Sequence, residues 1–209
     1  MDSKKKLVLI GSAGTGKTSL IHRFTRHTFS PSYTSTVGID FMSKTVYFED
    51  RDPVALQIWD TAGQERFAAL LPSYLRECSA AVIVFDITSR ASFEDATSKW
   101  LQSVKEEQSN QSEPLVVLAA NKADLASSRE VELSEISSFA STHNIPFFEV
   151  SAKLGHNVKE LFQNIALLLS KPSSTEVVEE NAVVSNKNGD DLLLTPDLSN
   201  SNSRGNCRC

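Results

Sequence analysis

Between the apolar run Leu7 to Ile10 and the amphipathic stretch Lys17 to Thr25 stands the segment that most narrows the choice of fold. Gly11, Ser12, Ala13, Gly14, Thr15, Gly16, Lys17 and Thr18 have the form G-x-x-x-x-G-K-[ST], directly after a predicted strand and directly before a predicted helix. Glycines let such a turn curl until successive N–H groups converge on phosphate oxygens, and the following helix adds its positive end. The Lys17 ammonium then bridges terminal phosphates, and the Thr18 hydroxyl is a hard oxygen ligand suited to Mg²⁺. Kinases and ATPases use the same cradle, so this turn alone leaves the base and the chemistry open.

The rest of residues 1–170 alternates short Val/Ile/Leu-rich runs with longer amphipathic stretches, the pattern of parallel strands joined by crossover helices. Strands are predicted at Lys5 to Ile10, Phe41 to Glu49, Val54 to Asp60, Ala80 to Asp86, Leu115 to Ala120 and Pro146 to Val150. Helices are predicted at Lys17 to Thr25, Ser92 to Glu107, Leu133 to His143 and Val158 to Ser170. The polar turn Asp50 to Pro53 makes one strand pair antiparallel. The expected fold is α/β: a six-stranded, mostly parallel sheet with one antiparallel edge strand and helices on both faces.

Asn121, Lys122, Ala123 and Asp124 follow the fifth strand at the carboxyl edge, where open α/β sheets bind ligands. A carboxylate at Asp124 accepts hydrogen bonds from guanine N1–H and the exocyclic amine, whereas adenine leaves it unpaired. Ser151, Ala152 and Lys153 follow the last strand and add a backbone N–H for guanine O6. Asp60, Thr61, Ala62 and Gly63 close the third strand. Asp60 there serves Mg²⁺, the Gly63 N–H bonds a γ-phosphate oxygen, and Gln64 orients an attacking water. Thr36, in the loop Thr28 to Ile39, completes the metal shell. Two loops thus depend on a phosphoryl group that hydrolysis removes.

With these motifs in order over four-fifths of its length, the chain resembles the Rab family of Ras-superfamily small GTPases. Thr36 to Phe41 (T-V-G-I-D-F) and Ile58 to Phe67 (I-W-D-T-A-G-Q-E-R-F) carry the resemblance. Gly38 to Thr45 and Leu71 to Arg76 are most similar to the Golgi-associated Rab-six subgroup. The resemblance implies a P-loop NTPase G domain binding GTP or GDP with Mg²⁺. Ser12 to Ser19, Phe29, Tyr33, Thr36, Gly63, Asn121, Lys122, Asp124 and Ser151 to Lys153 hold the nucleotide. Thr18, Thr36 and Asp60 hold the metal, while Lys17, Gly63 and Gln64 carry catalysis. It further implies an effector surface at Ile39, Phe41, Trp59 and Tyr74, although an aromatic on a strand is otherwise a core residue. Implied partners are an exchange factor, an activating protein, effectors, a prenylation escort and a dissociation inhibitor, with the protein itself monomeric. Ala13, beside the γ-phosphate position, and Ala68 and Ala69, which replace a basic residue common after Phe67, depart from the family pattern. The Ala13 methyl is expected to slow unaided hydrolysis, and a GTP-binding membrane scaffold with little turnover is the alternative reading.

The 39 residues from Lys171 to Cys209 contain six Ser, six Asn and no aromatic, so they build no core. They read as a disordered hypervariable tail, with Leu192 to Leu194 and Leu198 a docking element if not spacer. The tail ends in Cys207-Arg208-Cys209, a C-x-C for which the resemblance implies two geranylgeranyl groups, the number stable anchoring requires. At about 5 to 6 Å × √n, roughly 36 tail residues reach near 33 Å. The expected location is the cytoplasmic face of an intracellular membrane, the Golgi or vesicles, with a cytosolic pool. A net charge of −5 argues against nucleic-acid binding. The longest apolar runs fall short of the roughly 20 residues of a membrane span, and Leu7 to Ile10 is too short for a secretory signal. Cys78 reads as a buried, inert thiol. His22, His27, His143 and His156 show no metal-ligand spacing and receive no role.

Overall fold

The computed structural model describes residues 4–32, 36, 38–49, 51–62, 70–107 and 113–170. Strands β1 (Lys4–Ile10), β2 (Ile39–Val46), β3 (Val54–Thr61), β4 (Ala80–Asp86), β5 (Leu115–Asn121) and β6 (Phe147–Glu149) form one sheet in the order β2-β3-β1-β4-β5-β6. Every pairing is parallel except β2 with β3. The chain steps from β1 outward to β3 on one side and to β4 on the other, so the loop after β1 opens into a crevice at the carboxyl edge. Antiparallel pairing of Ile39 with Thr61 brings the start of β2 to that same edge.

Side-chain alternation divides the core. Leu7, Leu9, Leu56, Ile58, Val82, Val84 and Val117 meet helices α1 (Lys17–Arg26) and α6 (Val158–Ser170) on one face. There Phe24 and Phe162 stack with centroids 4.1 Å apart. Val8, Ile10, Ala81, Ile83, Phe85, Leu118 and Ala120 cover the other face, under α2 (Leu71–Leu75), α3 (Arg90–Asp95), α4 (Leu101–Glu106) and α5 (Leu133–His143). All seven β4 residues are buried, as expected of a central strand covered on both sides.

Several boundaries differ from expectation. The second strand spans Ile39–Val46 rather than Phe41 to Glu49, because its length is set by pairing with β3. The sixth is confined to Phe147–Glu149. The helix expected from Ser92 begins at Arg90, capped by Ser89, whose Oγ accepts the Ser92 N–H. It is not uniform: Ala96–Trp100 forms a π-helical turn between α3 and α4. Two short elements were not expected, α2 and a 3-10 turn at Ala123–Ser128. Pro72 is compatible with α2 because it sits in the first turn, where its missing N–H costs no hydrogen bond. Tyr33, Gly63, Gln64, Phe67, Ala68, Ala69 and the tail with Leu192 to Leu194, Leu198, Cys207 and Cys209 lie outside the described residues.

Candidate nucleotide site

A cavity of about 410 Å³ opens at the carboxyl edge. Its lining includes Ala13, Gly14, Gly16, Lys17, Thr18 and Ser19 from the first loop and helix, Phe29 and Thr36 from the following segment, and Asn121, Lys122, Asp124, Ala152 and Lys153 from beyond β5 and β6. Three separate motifs thus share one wall. His22 lines it as well, one turn after Thr18 on α1, a placement that its sequence context did not signal.

Lys17 is 5% exposed, and its Nζ donates to Gly11 O at 2.8 Å and Ser12 O at 3.0 Å. Burial lowers its pKa to about 8, against a smaller opposing pull from Asp60. A desolvated ammonium whose hydrogen bonds among the described residues go to carbonyls gains strongly from an arriving phosphate. The loop itself is stiffened from behind. Thr15 Oγ1 donates to Ser12 O at 2.9 Å, and Asn121 Nδ2 donates to Thr15 O at 2.8 Å across the sheet. Ser12 Oγ donates to Asp95 Oδ2 at 2.6 Å and accepts from Trp100 Nε1 at 3.2 Å. Asp95 directly precedes the π-helical turn and Trp100 ends it, and the turn's extra residue changes the angular spacing of side chains across it. Ser12, Thr15 and Ser151 direct their hydroxyls to Asp95, Ser12 O and Asp124 and are not part of the cavity lining, while the contacts expected of these segments are made by backbone N–H groups.

Thr18, Thr36 and Asp60 converge as expected. Thr18 Oγ1 donates to Asp60 Oδ2 at 2.5 Å and lies 2.8 Å from Thr36 Oγ1. Desolvation raises the Asp60 pKa, opposed by the Thr18 hydrogen bond and Lys17. Asp60 Oδ1 is buried with no hydrogen-bond partner among the described residues. A buried, orphaned carboxylate oxygen beside two hydroxyls is a hard donor set, and it fits Mg²⁺. When bound there, the ion supplies charge neutralisation to phosphate oxygens.

The base end is built on Asp124, whose side chain is 8% exposed. Ser151 Oγ donates to its Oδ1 at 2.7 Å, and Lys153 Nζ stands 3.8 Å from its Oδ2. Lys122, at φ 66, pairs with Asp86 Oδ2 at 2.6 Å. Of the backbone N–H groups of Ser151 to Lys153, among which the guanine O6 contact is expected, that of Ala152 donates to Asn121 Oδ1 at a long 3.2 Å. Of the aromatics, Phe29 packs partly buried against the α1/α6 core. Phe41 is 47% exposed on β2 and lies edge-on to Trp59 at 5.5 Å; Trp59 in turn lies 6.4 Å from Tyr74. All three are joined, but only Phe41 is largely open to solvent. Ile39 is half-buried at the start of β2.

Sequence reasoning missed the residues behind the wall. Asp86, Asp95, Trp100 and Arg23 have partners far away in the chain, and no short motif announces them. The sequence matches the profile of the Ras family over residues 6–171, the span from within β1 to the end of α6. With that match covering most of its length, the chain belongs to the Ras family and is a small GTPase of the guanine-nucleotide switch type.

Proposed function

We propose that the chain is a Rab-type switch that hydrolyses GTP and, in its triphosphate form, recruits effectors to an intracellular membrane in vesicle traffic. The signatures Gly38 to Thr45 and Leu71 to Arg76 favour the Golgi as that membrane. Lys17 neutralises the phosphates, Asp124 selects guanine, and Thr18, Thr36 and Asp60 hold Mg²⁺. Gly63 holds the γ-phosphate and Gln64 orients the attacking water. Positioning and charge stabilisation carry the chemistry.

The observation that supports effector recruitment is the Phe41–Trp59–Tyr74 cluster. Trp59 directly precedes Asp60 on β3, so the aromatic surface and the metal-binding carboxylate are consecutive residues on opposite faces of one strand. Any change at the phosphate end reaches the surface through that strand and through β2, which pairs Phe41 with Trp59. Affinity capture from cytosol tests this. Protein loaded with a non-hydrolysable GTP analogue should retain partners that the GDP form does not. Phe41→Ala should cut that retention about tenfold or more while leaving nucleotide affinity intact. Identical retention in both nucleotide states would remove the switch reading.

Membrane attachment through lipids on Cys207 and Cys209 makes a second measurement decisive. Replacing both by Ser should shift the protein wholly to the soluble fraction of expressing cells, because neither chain remains to partition into the bilayer. Undiminished membrane recovery of that variant would reject lipid anchoring. Exposed Ala13, lining the cavity, favours one alternative, a GTP-binding scaffold with little turnover. Single-turnover hydrolysis with and without an activating protein separates the two.

A further inference from the structure

Arg23, in the last turn of α1, commits its guanidinium to three backbone carbonyls. Nε donates to Ala152 O at 2.8 Å, Nη2 to Lys153 O at 2.6 Å, and Nη1 to His27 O at 3.1 Å. The first two acceptors are 129 and 130 residues away in sequence. The guanidinium carbon also stands 5.9 Å from the centroid of the Phe29 ring. Its stem runs beside Gly155, where a Cβ would come within 3.5 Å of Arg23 Cδ.

Peptide planarity gives these contacts a consequence at the cavity. A trans peptide points its C=O and N–H in opposite directions, and the described residues contain no cis bond. With Ala152 O fixed on Arg23, the N–H of the same peptide, that of Lys153, is turned to the other side. Ala152 and Lys153 line the cavity, and Arg23 is not part of that lining. The next peptide is held in the same way. Its carbonyl, Lys153 O, is on Arg23, while its N–H, that of Leu154, donates to Ser151 Oγ at 3.0 Å. That hydroxyl in turn donates to Asp124 Oδ1 at 2.7 Å. One guanidinium therefore backs both the peptide N–H that suits a 6-oxo group and the carboxylate that suits N1–H. Its third arm holds His27, the left-handed cap of α1 at φ 58, two residues before Phe29.

We propose that Arg23 is the positioning residue that sets purine discrimination, acting through peptides 152–154 and the Asp124 carboxylate without touching the nucleotide. This rests on the guanine-nucleotide reading of the cavity. A planar fork of donors is needed: a lysine ammonium is a point charge and cannot hold the three carbonyls in the same fixed geometry.

The test compares dissociation constants for GDP and for the diphosphate of 2-aminopurine riboside. The analogue keeps the phosphates and the 2-amino group but lacks the 6-oxo group and N1–H. Arg23→Ala should weaken GDP by about 10- to 100-fold and the analogue by no more than about threefold, so that the preference for GDP shrinks about tenfold or more. Arg23→Lys should recover part of that preference. Equal weakening of both ligands by Arg23→Ala would make Arg23 a structural brace and overturn the proposal, as would an unchanged GDP constant. If Arg23→Ala does not fold, Arg23→Gln, which keeps an N–H donor and most of the stem, carries the same comparison. Wild-type protein that binds ADP as tightly as GDP would instead overturn the guanine reading itself, a result distinct from any Arg23 outcome.

Discussion

Asp124→Asn is expected to raise the GDP dissociation constant by about 10²- to 10⁴-fold and to make xanthosine diphosphate the tighter ligand. The Asp124 carboxylate is nearly buried and already accepts one hydrogen bond, from Ser151. Its remaining lone pairs suit the two N–H donors on one edge of guanine, each charge-assisted bond being worth about 1.5–3 kcal/mol. An asparagine keeps an oxygen for Ser151 or N1–H but replaces the other oxygen with an NH₂ group. That group opposes the guanine 2-amino donor and matches the 2-oxo acceptor of xanthine. The wrong base then strands a desolvated donor, which is why such sites discriminate by about 10⁴ or more. Competitive displacement of a fluorescent GDP by unlabelled GDP and xanthosine diphosphate measures both effects. A variant that still prefers GDP would place base recognition elsewhere.

Apart from Thr36, which stands in the loop before β2, the parts of this site that were legible in the sequence share one property: each is a contiguous peptide at the end of a strand. Gly11 to Thr18 follows β1, Asp60 ends in β3, Asn121 to Asp124 leaves β5, and Ser151 to Lys153 follows β6. Parallel order places all of those ends at one edge, so spacing along the chain translated directly into proximity. The supporting shell has no such signature. Arg23 meets the loop after β6 where α1 and α6 pack on the same sheet face, and the Ser12–Asp95–Trp100 contact reaches across a π-helical turn that runs from the residue after Asp95 to Trp100. Neither follows from hydrophobic period. The aromatics Phe41, Trp59 and Tyr74, proposed above as an effector surface, were ambiguous for a related reason. Alternation puts Trp59 and Phe41 on the same side of β3 and β2, but β2 is an edge strand of weakly patterned burial, and only its position outside the helical layers leaves Phe41 open.

Gly11→Ala is expected to be the most destabilising single-methyl change in the loop, by about 4 kcal/mol or more. Gly11 has φ +143, and a Cβ there would lie 2.1 Å from Val84 O and 3.1 Å from Val84 C. Both are backbone atoms of β4, which is buried throughout and paired on its two sides with β1 and β5. A flexible side chain would rotate away; this carbonyl has nowhere to go without breaking a ladder. Overpacking of about 1–3 kcal/mol and backbone strain of similar size therefore add together. Gly38 provides the control. It also has positive φ, +76, but a Cβ there meets nothing within 4 Å among the described residues, so Gly38→Ala should cost only the left-handed strain, about 1–2 kcal/mol. At about 2–4 °C per kcal/mol for a domain of this size, the two variants should melt several degrees apart when compared at equal GDP saturation. Close approach of the loop to β4 is what seats the following residues deep enough for Lys17 to reach Gly11 O and Ser12 O from inside. If the two alanine variants melted together, that approach would not be what fixes the cradle, and backbone conformation alone would account for the need for glycine at its first position.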